Sequence, residues 1–353
     1  MSAPANLAYI GTYTRGGRSQ GIHVFSHDPA SGKLTLRSGV ETIDPSWLTF
    51  DPSRRFLLAT NEGLTTELGQ VVSFAIDSAS GALTELSRQQ SGGGEPCHLC
   101  VSPDGAFLLC ANHENGTVSV FPIDANGRLS EASDIRQHTG SGPGPTQQGP
   151  HAHHVTFDPT GQRVMVTDKG IDQVVIYRLD RGKLMPNDPP FGRLHAGAAP
   201  RHLAFNARGN MAYVNGEADM TLAALTYDAG SGVLQEIQSV STLPEGEHNE
   251  RWSTAEVALS PSGSAAYVSN RGHDSIAVFA IDASSGRLTP RGHVPTGGRT
   301  PRSFAIDPAG ARLYAANQDS DTIVHFSLDA RTGALTADGQ VTQVGAPVCV
   351  LFT

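Results

Sequence analysis

Residues 200–228 read PRHLAFNARGNMAYVNGEADMTLAALTYD, and this stretch contains the unit from which the whole chain is built. Three short apolar runs are separated by a turn that contains Gly209 and by a polar segment that begins at Glu217. Short apolar runs bounded by turn residues are typical of β-strands. The stretch therefore predicts three consecutive strands of an antiparallel sheet.

The same pattern recurs along the chain, with further copies that begin near residues 45, 96, 152, 254 and 301. A turn usually follows the third run and leads into a fourth, which we place at residues 125–132 in the copy that begins near residue 96. A repeat of about 46 to 55 residues is typical of a four-stranded blade of a β-propeller. The repeat therefore predicts an all-β fold built from such blades.

The two ends of the chain supply one further blade. Residues 7–13 (LAYIGTY) match the second strand of a copy, whereas residues 347–353 (PVCVLFT) match a first strand. Pairing of these ends would close the ring and leave no free sheet edge at the seam. We therefore predict a single domain over residues 1–353. It is a seven-bladed β-propeller of four-stranded antiparallel blades, with one blade shared between the N- and C-termini.

Two segments interrupt the repeat. Residues 133–150 are rich in Gly, Pro and Gln and are expected to form no strand, and residues 242–252 are polar and charged. Both segments lead into the first strand of a blade, so both are expected near one mouth of the central channel. Long loops in compact folds are often functional.

The overall charge narrows the possible partners. The formal net charge is −9, so neither nucleic acid nor an anionic membrane is an expected partner, and an anionic substrate would need a local cluster of cations. The first residues carry no basic and apolar signal pattern, and no apolar stretch approaches the roughly 20 residues of a membrane span. We expect a cytoplasmic protein that is a monomer or a weak homo-oligomer.

Cysteine and histidine residues raise the question of a metal site. The four cysteines, at positions 97, 100, 110 and 349, lie in apolar runs, and no second pair completes the CxxC of Cys97 and Cys100. His151 and His153 would share one face of an extended strand, with His154 on the other. No dense motif offers a third ligand. We therefore expect free buried thiols, no metal and no cofactor, and a catalytic or substrate-binding role for His153.

Positions at which the copies differ are the candidates for function, because equivalent core positions stay alike. The second residues of the first strands are Ser46, Cys97, His153, Arg201, Ala255, Arg302 and Val348. The residues just after the second strands are Tyr13, Glu62, His113, Lys169, Glu217, Arg271 and Gln318, and those before them are Thr12, Asn61, Asn112, Asp168, Gly216, Asn270 and Asn317. First strands line the channel of a propeller, so these rows would form rings around one mouth.

The rings combine several cations with a few carboxylates, which suits an anionic substrate and acid–base chemistry. Strand-end charges can also be loop caps or ion pairs between blades, and that alternative applies to each residue taken singly. His98, His202 and Glu256 lie on the opposite face of their strands, where hydrogen bonding between blades is expected.

Several stretches carry a family resemblance. They are YIGTYT at residues 9–14, GIHVF at 21–25, GPHAHHVTFDP at 149–159, PRHLAF at 200–205 and SNRGHDSIAVF at 269–279. With these, the chain resembles the seven-bladed propeller lactonases of the bacterial 6-phosphogluconolactonase type and the related fungal carboxy-cis,cis-muconate cyclase. The resemblance extends over essentially the whole chain.

The resemblance implies a catalytic site of one His, two Arg and one Glu, without a metal. By motif these are His153, Arg201, Arg271 and Glu217, all members of the rings. Four further ring residues are assigned to substrate binding, together with His151: Lys169, Arg302, His113 and Glu62. The family usually has Asn where this chain has Gly216, so the residue before Glu217 departs from the pattern.

The expected function is hydrolysis of a sugar lactone, above all 6-phosphogluconolactone. Arg201 and Arg271 would bind the anionic group and polarise the carbonyl, and Glu217 or His153 would take a proton from water. A carboxymuconate-type cycloisomerase would use the same arginines for carboxylates and would protonate carbon. A non-enzymatic binding propeller is the third alternative.

Overall fold

The computed structural model describes residues 5–63 and 69–353. In this part of the chain, 28 strands form seven four-stranded sheets, and the two other regular elements are the 3-10 turns Arg15–Gly17 and Gln318–Ser320. All neighbouring strands pair antiparallel. No helix among these residues is long and apolar enough to cross a membrane.

The strands follow the repeat in chain order. The first four groups are β1 (Leu7–Thr12), β2 (Gly21–His27), β3 (Leu34–Glu41); β4 (Leu48–Phe50), β5 (Phe56–Asn61), β6 (Gln70–Ile76), β7 (Leu83–Gln90); β8 (Pro96–Val101), β9 (Phe107–Asn112), β10 (Thr117–Pro122), β11 (Asp134–Gln137); β12 (Ala152–Phe157), β13 (Val164–Asp168), β14 (Gln173–Asp180), β15 (Lys183–Arg193). The remaining strands are β16 (Pro200–Phe205), β17 (Met211–Gly216), β18 (Thr221–Tyr227), β19 (Leu234–Ser241); β20 (Ser253–Leu259), β21 (Ala265–Arg271), β22 (Ser275–Ile281), β23 (Leu288–Pro295); β24 (Pro301–Ile306), β25 (Arg312–Asn317), β26 (Thr322–Leu328), β27 (Leu335–Gln343); and β28 (Pro347–Phe352).

The shared blade is confirmed. β28 pairs with β1 in a sheet of order β28-β1-β2-β3, with Ile10 opposite Val350. At the seam the Leu7 N–H donates to Thr353 Oγ1 at 3.0 Å. We number this sheet blade 1 and the others blades 2 to 7 in chain order.

The first strands form the inner ring. β28, β4, β8, β12, β16, β20 and β24 each contact the next one around the ring, so they line the channel as predicted. The apolar core lies between blades: residues of β14 such as Ile176 pack with residues of β17 and β18 such as Val214 and Leu225. This arrangement gives every blade two buried faces.

A buried tyrosine on the second strand repeats this contact between blades. Tyr9, Tyr213, Tyr267 and Tyr314 are fully buried. Each hydroxyl donates to a turn carbonyl of the following blade, namely that of Gly81, Gly286, Gly333 or Gly32, at 2.8 to 3.0 Å. Burial of a tyrosine ring needs a partner for its hydroxyl, and the repeat supplies one each time.

The prediction that residues 133–150 form no strand is wrong over Asp134–Gln137. These residues form β11, the outer strand of blade 3, with Gln137 opposite Thr117. Residues 125–132, expected as that strand, contribute only an isolated bridge between Ile123 and Leu129. An outer edge strand buries few apolar side chains, so this short strand shows almost no hydrophobic pattern. The Gly/Pro-rich residues that follow it dominate the composition of the segment.

Candidate active site

A cavity of about 210 Å³ lies where the two rings meet at one mouth of the channel. Its lining residues are Tyr13, Glu62, Glu95, Cys97, His113, His153, Lys169, Glu217, Arg271 and Arg302. All of them except Glu95 belong to the two rows of positions that the repeat singled out.

β-Bulges explain why the inner-ring side chains reach this cavity. In β12 the register shifts between Ala152 and His154, so His153 is an extra residue without an opposite partner. The register shifts in the same way at Cys97 in β8 and at Arg302 in β24, so these two residues also have no opposite partner. A bulge re-aims the side chain of the inserted residue, and here it does so at the same height in three blades.

Glu217 is the centre of the charge network. Lys169 Nζ donates to Glu217 Oε1 at 2.6 Å, while Arg201 Nε and Arg271 Nη2 lie 3.0 and 3.3 Å from Oε2. Burial alone would raise the pKa of Glu217, but Lys169, Arg271 and Arg201 together lower that pKa well below its usual value. Glu217 is therefore a fully ionised carboxylate at neutral pH with both oxygens engaged.

A hydrogen-bonded chain continues from Lys169 to Glu95. His113 Nδ1 lies 3.0 Å from Glu95 Oε2, and Lys169 Nζ lies 3.4 Å from His113 Nε2. The lysine ammonium can only donate, so Nε2 accepts and Nδ1 carries the proton of a neutral ring. Burial lowers the pKa of His113 despite its contact with Glu95, which agrees with that neutral state.

Glu62 forms the opposite wall. Its carboxylate oxygens both lie 2.9 Å from the Tyr13 hydroxyl, and Arg15 Nη2 lies 3.4 Å from Oε1. Arg302 Nη2 is 3.8 Å from Oε2, and its guanidinium lies over the Tyr13 ring at 5.1 Å. Glu62 thus holds a weak ion pair with a guanidinium that faces the cavity.

Two lining side chains stand apart because they make no hydrogen bond within residues 5–63 and 69–353. They are His153 and Arg302. Burial, and after it the charge of Arg201, lower the pKa of His153 well below its usual value, so this imidazole is neutral at neutral pH. Among the described residues, the cavity therefore offers one neutral imidazole and one guanidinium that make no hydrogen bond to a protein group, the guanidinium being held only by its weak ion pair with Glu62.

Arg201 lies behind the cavity. It is 3% exposed, and its Nη1 lies 3.2 Å from His202 Nε2. His202 Nδ1 in turn lies 2.8 Å from Glu256 Oε1 of the next blade, as expected for a hydrogen bond between blades. Burial raises the pKa of Glu256 to about 7. The structure thus places Arg201 between Glu217 and a buried His–Glu pair, away from the lining.

The predicted loops and the remaining histidine surround the same mouth. Gln147, from the 133–150 segment, donates to the Lys169 carbonyl at 2.7 Å. Trp252 packs on the ring of His273, two residues after Arg271. His151 stacks on His113 and is absent from the cavity lining. In the described residues no group of three His, Cys, Asp or Glu side chains could hold a metal ion.

Glu95 is the lining residue that the sequence did not reveal. It precedes Pro96, two positions before the row that we compared, and its backbone has φ 52°. The residues before the other first strands include Asp44, Ala199, Thr300 and Ala346, also with positive φ. A comparison of these equivalent positions would have shown that Asp44 and Glu95 carry carboxylates where residues such as Ala199 and Thr300 are uncharged.

Comparison with known proteins agrees with this architecture. Residues 7–352 match the model of the family described as lactonase, 7-bladed beta-propeller. A 6-phosphogluconolactonase of Bacillus subtilis is 35% identical over 303 residues, which cover 84% of each chain. A 6-phosphogluconolactonase of Formosa agariphila is 32% identical over 304 residues, 84% of this chain and 85% of the relative.

A solved structure extends the comparison to three dimensions. The periplasmic gluconolactonase of Pseudomonas aeruginosa superposes with a TM-score of 0.93 at 32% identity over 98% of both chains. The fold, the sequence and the family match therefore agree over nearly the whole length. This chain belongs to the seven-bladed β-propeller lactonases.

Proposed function

We propose that the protein hydrolyses a sugar lactone that carries one phosphate group, with 6-phosphogluconolactone as the first substrate to test. The observation that carries this proposal is Arg302, a cavity-facing guanidinium with no hydrogen-bond acceptor among the described residues. Two of the relatives bear the name of that activity. Arg is well suited to bidentate recognition of phosphate.

The charge balance of the cavity separates the candidate substrates. Lys169, Arg201 and Arg271 are already engaged by the single carboxylate of Glu217. The cavity lining as a whole carries three cations and three carboxylates, so its formal charges balance. Arg302 remains as the cation for one anionic group. A carboxymuconate substrate carries several carboxylates and would meet Glu62 and Glu95 as well, which repel it. The cavity therefore supports the lactonase over the cycloisomerase.

The acceptor groups of the cavity suit a polyhydroxylated ring. Glu62 and Glu95 present carboxylate oxygens, and carboxylates accept hydrogen bonds from hydroxyl donors. A volume of about 210 Å³ is below the range of drug-sized pockets and matches a single sugar ring with one substituent. We place the phosphate at Arg302 and the hydroxyl groups along these two carboxylates.

The proposed reaction assigns the proton transfers to His153. Its neutral imidazole takes a proton from water, and the resulting hydroxide attacks the lactone carbonyl carbon. Lys169 and Arg271 line the cavity and stabilise the oxyanion that forms. The ring C–O bond then breaks, and the leaving alkoxide receives the proton from His153. Glu217 fixes the two cations, and Arg201 supports Glu217 from behind.

A variant of His153 tests this assignment. His153→Gln keeps most of the volume and removes the proton acceptor, so we expect kcat for 6-phosphogluconolactone to fall by about 100-fold or more. The rate is followed as 6-phosphogluconate formed above the spontaneous hydrolysis. A wild-type rate no greater than the spontaneous one would refute the lactonase, whereas an unimpaired His153→Gln variant would refute only the role of His153.

For the site of action we propose the cytoplasm. All four cysteines are free, and burial raises the pKa of the Cys97 thiol to about 12, so this thiol is inert. Free thiols are typical of reducing compartments. Cell fractionation with antibody detection tests the proposal, and recovery in an exported fraction would refute it.

A further inference from the structure

The residue at the end of the second strand makes the same contact in three of the seven blades. In blades 3, 6 and 7 this residue is an asparagine whose Nδ2 donates to a carbonyl of the linker that leads into the same blade. The pairs are Asn112 with Ser91, Asn270 with Thr242 and Asn317 with Thr296, at 3.2, 2.7 and 3.1 Å. The linker and the strand end are therefore joined by a neutral amide.

Blade 4 uses an imidazole–carboxylate pair at the same place. Asp168 replaces the asparagine, and its Oδ2 lies 2.6 Å from Nδ1 of His138, which belongs to the linker before β12. The other oxygen of Asp168 accepts the backbone N–H groups of His151 and Gly170 at 2.7 and 2.9 Å. Both residues of the pair are buried. The next residue in the chain is Lys169.

Blade 5 reaches the same result with different residues. Gly216 replaces the asparagine, and a Cβ there would clash with Asp219 Oδ1 and lie 2.9 Å from the Ala198 carbonyl. Asp219 Oδ2 lies 2.5 Å from Nε2 of His195, on the linker before β16, and Glu236 Oε1 lies 2.9 Å from Nδ1. Gly216 thus leaves room for Asp219 to reach the linker.

The two His–Asp pairs coincide with one functional contact. Blades 4 and 5 carry Lys169 and Glu217, whose side chains meet at 2.6 Å across the blade boundary. We propose that His138–Asp168 and His195–Asp219 are positioning pairs that fix the strand ends bearing Lys169 and Glu217.

The physical reason is the strength of these pairs. Charge-assisted hydrogen bonds are shorter and roughly twice as strong as neutral ones. Asp219 and then Glu236 raise the pKa of His195 to about 10, so this imidazole is charged at neutral pH. The loop that begins at Glu217 is held to the linker twice, by Asp219 and by the Glu217 N–H, which donates to the Ala199 carbonyl at 2.9 Å. A displacement of about 1 Å in a catalytic group can cost about 100-fold in rate.

The test compares His195→Gln with a matched control. His195→Gln removes the charge from a partly exposed side chain, and we expect kcat to fall by about tenfold or more while KM stays within about twofold. The control, Asn317→Ala, cuts the equivalent tie in blade 7, where the following Gln318 does not line the cavity. Its kcat is expected within about twofold of wild type. Equal losses in both variants would overturn the proposal.

The proposal rests on the proposed function only in treating Lys169 and Glu217 as parts of the site. A second readout is therefore chosen that does not depend on enzymatic activity. Acetylation of Lys169 by acetic anhydride, followed by mass spectrometry, reports how firmly Glu217 holds the ammonium. We expect faster labelling in His195→Gln than in wild type or Asn317→Ala. Unchanged labelling would overturn the proposal even if no lactone were turned over.

A variant with a smaller change guards against misfolding. Asp219→Asn keeps the size of the side chain and removes its charge, so the pair weakens while the loop retains a hydrogen-bonding group. Thermal unfolding by circular dichroism identifies variants that are folded at the assay temperature. A folded Asp219→Asn protein with wild-type kcat and wild-type labelling of Lys169 would also overturn the proposal.

Discussion

Replacing Arg302 by Met gives the sharpest test of how the substrate is recognised. Methionine fills similar space and removes the guanidinium, which lines the cavity and is 3.8 Å from Glu62 Oε2. Glu62 keeps its contacts with Tyr13 and Arg15 in the variant. The change therefore removes the cation proposed for the phosphate and leaves the rest of that wall in place.

The expected magnitude follows from the contacts that are lost. A hydrogen bond to a charged group contributes about 1.5 to 3 kcal/mol, and about 1.4 kcal/mol corresponds to a factor of ten. We therefore expect kcat/KM for 6-phosphogluconolactone to fall by about 10- to 150-fold, mainly through KM. The free energy of unfolding is expected to change by about 1 kcal/mol or less, because the long contact with Glu62 is a weak ion pair.

The assay runs wild type and Arg302→Met on phosphorylated and unphosphorylated gluconolactone, each corrected for spontaneous hydrolysis. The unphosphorylated lactone presents the same carbonyl without the phosphate, so the variant should lose about threefold or less on it. Equal losses on both substrates would refute phosphate recognition by Arg302. No loss on either would show that Arg302 does not contact the substrate at all.

Three further predictions concern charged groups in the cavity lining and around it. Glu217→Gln leaves Lys169 and two arginines without their carboxylate, so we expect a loss of about 3 to 5 kcal/mol in denaturant unfolding, and a wild-type-like midpoint would contradict it. Burial raises the pKa of Glu256 to about 7, so its contribution to stability is present below the unfolded pKa of about 4.3 and is lost as the pH rises through 7. Glu256→Gln should flatten the stability profile between these values, and an unchanged profile would refute the assignment. Asp219 and Glu236 raise the pKa of His195 to about 10, so its contribution is present below about pH 6.5 and is lost as the pH rises through 10. A wild-type slope that persists in His195→Gln would contradict this.

The fold could be predicted because every copy of the repeat has the same order of apolar runs and turns. The run–turn–run pattern of residues 200–228 gave the pairing of β16, β17 and β18, and the unmatched ends required β28 beside β1. The sequence did not predict β11, because an edge strand is held by backbone hydrogen bonds and buries few apolar side chains. A repeat therefore predicts the order of the strands, but it does not predict the position of an outer strand beside a long loop.

The position of the candidate site could be predicted from the sequence, but the contacts between its side chains could not. Aligning the copies placed Lys169, Glu217 and Arg302 at one height, since equivalent residues of a ring share their depth. The alignment could not show that Arg201 lies buried behind Glu217, because rotamers and burial depend on packing between blades. Nor could it show that Gly216 makes room for Asp219, a contact that involves a side chain three residues further along the chain.

One measurement tests the central claim most directly: kcat/KM of the purified wild-type protein on 6-phosphogluconolactone beside unphosphorylated gluconolactone. If a phosphorylated lactone is the substrate, the phosphorylated compound should be hydrolysed at least about tenfold more efficiently, well above the spontaneous rate. Equal efficiency on the two lactones would contradict the proposed role of Arg302. No hydrolysis of either lactone above the spontaneous rate would contradict the proposed function.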